Sequence, residues 1–239
     1  ITINQSPIKY SIKIKENILS EAFSLIDEKS GCSYIIIYDY AVNDSLITNL
    51  VSSFPRSNQP NLIKIDFSKH GKSIDTFHYI TNQLINYNCD QLTTLLVVGG
   101  GSLGDLVGFV ASTFYRGIPY IQIPTTLLSM IDSSIGGKTA IDTAAGKNLI
   151  GTYYHPKMVI IDPTILNSIN KLEINSALFE AIKYSLAIDG TLFKYIKENI
   201  NNLKEKNDLS SLIEKCCEIK SQIIQIDEKD INDRKKLNF

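Results

Sequence analysis

The sequence predicts an α/β fold built on a parallel sheet, followed by the start of an α-helical domain. Three observations carry this. Apolar, β-branched runs alternate with helix-length segments through the first half of the chain. The run Leu95-Leu96-Val97-Val98 has no polar face. Beyond about residue 162 the pattern turns almost wholly helical. Strand and helix in alternation is the pattern of parallel strands joined by right-handed crossovers. A strand without a polar side is one covered on both faces.

The elements follow in order. Ile8-x-Tyr10-x-Ile12-x-Ile14 alternates with period two and predicts an antiparallel edge hairpin at the start. Further strands are predicted at Tyr34–Tyr38, Leu62–Ile65, Thr94–Val98, Ile118–Ile123 and Met158–Ile161. Helices are predicted between them at about 42–53, 73–87 and 102–113. Asp162-Pro163 punctuates the end of the last strand. After it, Leu172–Ala187, Leu192–Leu203 and Leu209–Ile226 carry apolar residues at three- and four-residue spacing, the helical period. The predicted organisation is an α/β domain over 1–162 and a partial α-helical domain over 163–239. A chain that opens on Ile and closes at Phe239 without a terminating signal reads as part of a longer polypeptide.

Composition narrows the function. The 239 residues hold 24 Lys and Arg against 25 Asp and Glu, a net charge of -1. At roughly 150 residues per domain this is enough chain for one or two cores. The balance excludes a polybasic nucleic-acid binder and an acidic disordered tail. No apolar run approaches the roughly 18–20 residues of a membrane-spanning helix, and Ile1–Tyr10 lacks the layout of a signal peptide. Four cysteines without a C-x-x-C pair, two of them adjacent at 216 and 217, predict a reducing, cytoplasmic setting.

Two motifs carry chemistry. Val98-Gly99-Gly100-Gly101-Ser102-Leu103-Gly104-Asp105 sits where a buried strand hands over to a helix. Glycines there let a phosphate approach the backbone, and the helix N-terminus offers free N–H groups with partial positive charge. A plain strand-to-helix turn is the competing reading. Three consecutive glycines exceed what a turn requires, since each weakens a regular element by about 0.5–1 kcal/mol relative to Ala. The second motif runs from Pro124-Thr-Thr to Asp132-Ser133-Ser134-Ile-Gly-Gly-Lys138-Thr139, with Gly146-Lys147-Asn148 beyond it. Charged groups in so apolar a context are costly to bury for packing alone. Lysines beside glycines suit a phosphate or carboxylate ligand, against the plainer reading of a solvated loop. His70, His78 and His155 read as surface or loop residues.

Gly99-Gly-Gly-x-x-Gly-Asp105, Tyr115-Arg-Gly117, Ile123-Pro-Thr-Thr-Leu-Leu128, Asp132-Ser-Ser-x-Gly-Gly-Lys-Thr139, Gly146-Lys-Asn-Leu-Ile-Gly151, Glu180-Ala-Ile-Lys-Tyr184 and Arg234-x-x-Leu-Asn238 occur in this order. Together they resemble the 3-dehydroquinate synthase family of the sugar-phosphate cyclase superfamily. The resemblance covers nearly the whole chain and is densest from 95 to 185. It implies a Rossmann-like NAD-binding domain followed by a substrate and metal domain. It also implies a sugar-phosphate substrate, 3-deoxy-D-arabino-heptulosonate 7-phosphate, with tightly held, recycled NAD. The products are 3-dehydroquinate and phosphate, in the shikimate pathway. The remaining implied partners are a divalent metal, zinc before cobalt, and a second subunit in a homodimer, with neither nucleic acid nor membrane.

The resemblance also assigns residues. Gly100, Gly101 and Ser102 fall where the family holds the NAD pyrophosphate, with Asp105 facing the cofactor. Asp39 and Lys72 match cofactor contacts, as do Thr125, Thr126, Leu128 and Ser133, and further on Ser168, Ile169 and Glu173. Asp132, Lys138, Lys147, Asn148 and Lys183 match the substrate site, with Asp132, Lys138 and Asn148 also bordering the cofactor. Arg234 and Asn238 belong to the same site, and Arg116 matches an arginine that reaches the substrate phosphate from the neighbouring subunit. Glu180 matches the metal-binding glutamate. Lys69 departs from the pattern, standing where the family has a cofactor-contacting Glu. The family's two metal-binding histidines have no counterpart up to Phe239, so this chain by itself is expected to hold zinc poorly, to pair Glu180 with Lys183, and to be inactive. Two other functions compete: a related cyclase making an aminocyclitol precursor or a sedoheptulose-derived ring, and a non-catalytic NAD-binding remnant. Arg234 with Asn238, and the near-complete lysine set, favour the shikimate enzyme.

Overall fold

The computed structural model describes residues 10–26, 32–187, 190–207 and 209–227. Its strands are β1 (Ser11–Ile14), β2 (Tyr34–Asp39), β3 (Asn61–Ile65), β4 (Thr94–Gly99), β5 (Tyr120–Pro124), β6 (Lys138–Thr143), β7 (Gly146–Tyr153) and β8 (Met158–Ile161). Six of them form one sheet in the order β1-β8-β5-β4-β2-β3, with every pairing parallel. All residues of β4 and β5 are buried. Their largely apolar character, with Gln122 the buried exception in β5, follows from helices covering both faces.

One face is covered by α1 (Ala22–Leu25), α2 (Asp44–Ser52) and the turn around Ile18 and Leu19, which pack on Ile36, Val98 and Ile123. Asn43 caps α2 by accepting from the Ser45 N–H at 2.9 Å. After the short α3 (Phe67–His70), the helices α4 (Ile74–Asn86) and α5 (Gly101–Thr113) cover the other face. α5 sits unusually close to its neighbours: a Cβ on Gly108 would lie 2.5 Å from Thr139 Cγ2. That approach lays β6 and β7, an antiparallel hairpin, directly over α5.

The remaining helices are α6 (Lys171–Ala187), α7 (Gly190–Lys204) and α8 (Leu209–Ile226). They enclose a third core with Met130, Ile131 and Ile135, which follow β5, and with Val159 and Ile161 of β8. Their bounds fall within two residues of the sequence expectation at every described end.

One expectation changes. The opening strand does not form an antiparallel hairpin. β1 runs parallel to β8, from Ser11 opposite Met158 to Ile14 opposite Ile161. Alternation marks a strand with one covered face but says nothing about the direction of its neighbour; Ile8 lies outside the described residues. After Pro124 the competing reading of a solvated loop is set aside. Ser129–Ser133 is a short π-helical turn, and 138–153 is the hairpin. Its ladder is irregular. Between the pairs Ile141–Ile150 and Thr143–Gly146, the single residue Asp142 faces Lys147, Asn148 and Leu149.

Candidate functional site

β4 ends at Gly99 and α5 begins at Gly101, with Gly100 as its N-cap in an extended conformation. A glycine cap has no side chain, so the first-turn amides of α5 receive no side-chain acceptor. Free amides at the positive end of a thirteen-residue helix suit an anionic group. Gly101 is required by its surroundings, because a Cβ there would lie 2.2 Å from Ser133 Oγ. That hydroxyl is buried and has no hydrogen-bond partner among the described residues. A ribose or phosphate oxygen threaded along the glycine turn would give it one, so the residues present fit a dinucleotide. Gly100 has more room: a Cβ there would meet Thr126 Cγ2 at 3.5 Å, an ordinary contact. Gly100→Ala is therefore expected to fold normally and to weaken NAD binding by about tenfold through the lost close approach. Unchanged affinity by calorimetry would remove the glycine turn from the cofactor site. Gly101→Val would be ambiguous, since it collides with Ser133 whether or not a ligand binds.

Beside the turn, Ser133 and Asp105 border a cleft of about 480 Å³ whose walls also include Asp132, Lys138, Asn148, Glu180 and Lys220. Two buried lysines hold its acidic residues, Lys220 in the wall and Lys72 behind it. Lys72, 8% exposed, places its ammonium 2.8 Å from Asp105 Oδ2 and also donates to Asn148 Oδ1. Lys220, 8% exposed, comes from α8 and donates to Asp132 Oδ1. Sequence reasoning passed over Lys220. The available signal was its register, since it sits four residues from both Cys216 and Ile224 on the buried stripe of α8.

Burial raises the Asp105 carboxyl above the ordinary 3.8, and Lys72 opposes this only in part. A raised folded value means the folded state holds its proton more tightly. The associated stability is present below 3.8 and is lost as pH rises through the folded pKa. Ionisation of Asp105 is thus less favourable in the fold than in the unfolded chain, since burial outweighs the Lys72 pair. Asp105→Asn is expected to raise the ligand-free Tm at pH 7 by a few degrees and to weaken NAD binding. A lower Tm at pH 7 would show that the Lys72 pair outweighs desolvation.

The other expected residues fall into groups. Lys138 and Lys147 are exposed at the start of β6 and in the irregular part of β7. Lys183 stands 3.1 Å from Glu180, as expected for residues one turn apart on α6. Thr125 is buried, and its N–H donates to Gly99 O at 3.0 Å, which ties β5 to the glycine turn. Thr126 Oγ1 bonds Ser129 Oγ at 2.8 Å, while Leu128 and Ser102 are exposed. Asp39 ends β2 and accepts from the Ala41 N–H. Arg116 is exposed outside the cleft, on a knuckle where Tyr115 and Arg116 have φ of 49° and 65°. Ser168 is exposed, its hydroxyl donating to Ile165 O, and Ile169 O accepts from Lys206 Nζ. Glu173 has a local role: its N–H donates to Asn170 Oδ1 and its carboxylate accepts from the Asn170 amide, a reciprocal cap on α6. Lys69 pairs with Asp66 at 2.8 Å. Arg234 and Asn238 lie outside the described residues.

A divalent metal fits less well. No cluster of three His, Cys, Asp or Glu side chains exists among the described residues. Glu180, the expected ligand, borders the cleft already paired with Lys183, and the other acidic residues of the wall, Asp105 and Asp132, are paired with Lys72 and Lys220, whereas a catalytic zinc takes about three protein ligands. His78 bonds Asn82, and His155 packs beside the Tyr10 ring, so neither joins Glu180. No helix among the described residues is long and apolar enough to cross a membrane.

Residues 62–176 match the family model described as 3-dehydroquinate synthase N-terminal, and residues 177–239 match 3-dehydroquinate synthase C-terminal. The 3-dehydroquinate synthase of Pseudoalteromonas atlantica is 36% identical over 241 residues, 100% of this chain and 68% of that protein. That of Clostridium beijerinckii is 36% identical over 96% of this chain and 66% of its own length. The chain thus spans about two thirds of the length of these relatives. Among solved structures, the 2-epi-5-epi-valiolone synthase ValA from Streptomyces hygroscopicus, with NAD+ and Zn2+ bound, superposes with a TM-score of 0.90 at 23% identity over 100% of this chain and 68% of that one. A 2-deoxy-scyllo-inosose synthase, complexed with carbaglucose-6-phosphate, NAD+ and Co2+, gives 0.87 at 24% identity over 95% and 63%. At these identities the two structures establish a shared fold.

Proposed function

This chain belongs to the 3-dehydroquinate synthase family, and from that premise we propose that it carries the NAD site and most of the sugar-phosphate site of that enzyme. The reaction is conversion of 3-deoxy-D-arabino-heptulosonate 7-phosphate to 3-dehydroquinate and phosphate. The observation that carries the reading is the cleft walled by Asp105 of the uncapped, glycine-led helix and by Asp132, each carboxylate paired with a buried lysine, Lys72 and Lys220. The α5 amides and Ser133 would hold NAD⁺, which when bound would supply reversible hydride chemistry at the C5 carbinol of the sugar.

The chain's own residues bind and orient. The α5 amides and Ser133 receive the dinucleotide, with Thr125 and Thr126 holding the turn beneath it and Asp39 and Lys72 flanking it. Lys138 and Lys147 present ammoniums to the anionic ends of the sugar phosphate, each such contact contributing about 1.5–3 kcal/mol. Asn148 and Lys183 supply further donors at the cleft. The resemblance adds Glu180 as one metal ligand and Arg116 as a donor to the site of a second subunit. A cytoplasmic setting is supported by the four free cysteines. The test is turnover by the full-length enzyme with the heptulosonate phosphate and, separately, sedoheptulose 7-phosphate and glucose 6-phosphate. Phosphate release from the first alone is expected. Release from either of the others alone would transfer the chain to a neighbouring cyclase class, and release from none would favour a non-catalytic NAD-binding role.

A further inference from the structure

We propose that Asp142 is a positioning residue: its carboxylate holds the irregular Lys147–Asn148 segment of β7 in the shape that presents it to the cleft, and Lys72 carries that anchorage to the glycine-led helix. The part of this inference that concerns ligands rests on the sugar-phosphate reading; the part that concerns the hairpin does not.

The hairpin poses a local difficulty. Where Asp142 alone faces Lys147, Asn148 and Leu149, ladder partners are too few for the backbone groups on β7. Asn148 is also left-handed, with φ of 58°, a conformation that asparagine adopts more readily than most L-residues and that turns its N–H out of the ladder. The Asp142 side chain supplies the missing acceptor. Its Oδ1 receives the Asn148 N–H at 3.0 Å.

Asp142 is itself pinned from the other side. Its backbone N–H donates to Lys72 O at 2.6 Å, and its Oδ1 lies 3.9 Å from Lys72 Nζ. The same ammonium donates to Asn148 Oδ1 and to Asp105 on α5. One carboxylate therefore fixes the backbone of Asn148 while the lysine beside it fixes the Asn148 side chain. Lys147, next in the chain, is held with them. Asp142 does not line the cleft, so whatever it does for a ligand it does through these neighbours.

The experiment compares the full-length protein with Asp142→Asn, which keeps the acceptor oxygen, and Asp142→Ala, which removes it. Amide exchange of Asn148 is expected to quicken about tenfold or more in Asp142→Ala and to stay near the parent rate in Asp142→Asn. KM for 3-deoxy-D-arabino-heptulosonate 7-phosphate is expected to rise about tenfold in Asp142→Ala and to be largely restored in Asp142→Asn, with the NAD dissociation constant changed less. Should Asp142→Ala fail to fold, Asp142→Glu carries the test, since it keeps the charge but displaces the oxygens by one methylene. An Asn148 amide whose exchange ignores loss of the acceptor overturns the proposal. So does an equal KM defect in the Asn and Ala variants. A parent protein that does not bind the sugar phosphate would instead overturn the functional reading, and the exchange comparison would still judge Asp142.

Discussion

Asp132→Ala is expected to cost about 3 kcal/mol of stability, read as a lower urea midpoint, because it removes the carboxylate to which the buried Lys220 ammonium donates. Lys220 is 8% exposed against 28% for Asp132, so the cation is the partner that suffers most when left alone. Removing the cation as well relieves the penalty. Lys220→Met combined with Asp132→Ala is expected to recover most of the loss, since an apolar side chain of similar length suits the stripe of Cys216, Ile223 and Ile224. The coupling of the two changes measures the pair. Additive losses in the double variant would mean that the ammonium reaches water or another partner when Asp132 is gone.

In the full-length enzyme, Arg116→Ala and Lys147→Ala should each cut turnover at least about tenfold, and a mixture allowed to exchange subunits should recover about a quarter of the parent activity. The fraction follows from the geometry of a shared site. Half of the dimers are mixed, and in each mixed dimer one site keeps both residues while the other lacks both. The knuckle at Tyr115 and Arg116 supports this: two consecutive left-handed residues hold Arg116 out in solvent, away from the cleft of its own chain. No recovery after confirmed exchange would place Arg116 in its own subunit's site or outside catalysis.

Much of the architecture was legible because burial leaves a plain trace. Strands covered on both sides are uninterrupted apolar runs, as at Leu95–Val98, and α6 to α8 show their packing faces at helical spacing. The glycine turn was legible for the same reason, since close approach excludes side chains. What stayed hidden depends on long-range partners. The β6–β7 hairpin is polar and turns through Thr143-Ala-Ala-Gly146, which carries no strong turn signature, and it is held by packing on α5. Lys220 looks like one more lysine on an amphipathic helix until Asp132 is brought to it from the far side of the cleft. Glu173 reads as a site residue by resemblance, yet its contacts here are those of a helix cap.

The pairing of β1 with β8 has a consequence for how the protein is made. Among the described strands β1 comes first in the chain and is completed by β8, so this pairing cannot form until Ile161 has emerged. Ile12 and Ile14 thus await Val159 and Ile161 through the synthesis of the other described strands. Closure over so long a loop makes late, slow steps in folding. Trimming the chain past Ile14 would leave Val159, Ile160 and Ile161 as an open apolar edge, ready to pair with another molecule. Tags and truncations at the N-terminus therefore act on the sheet's most remote contact, and aggregation during expression is their expected symptom.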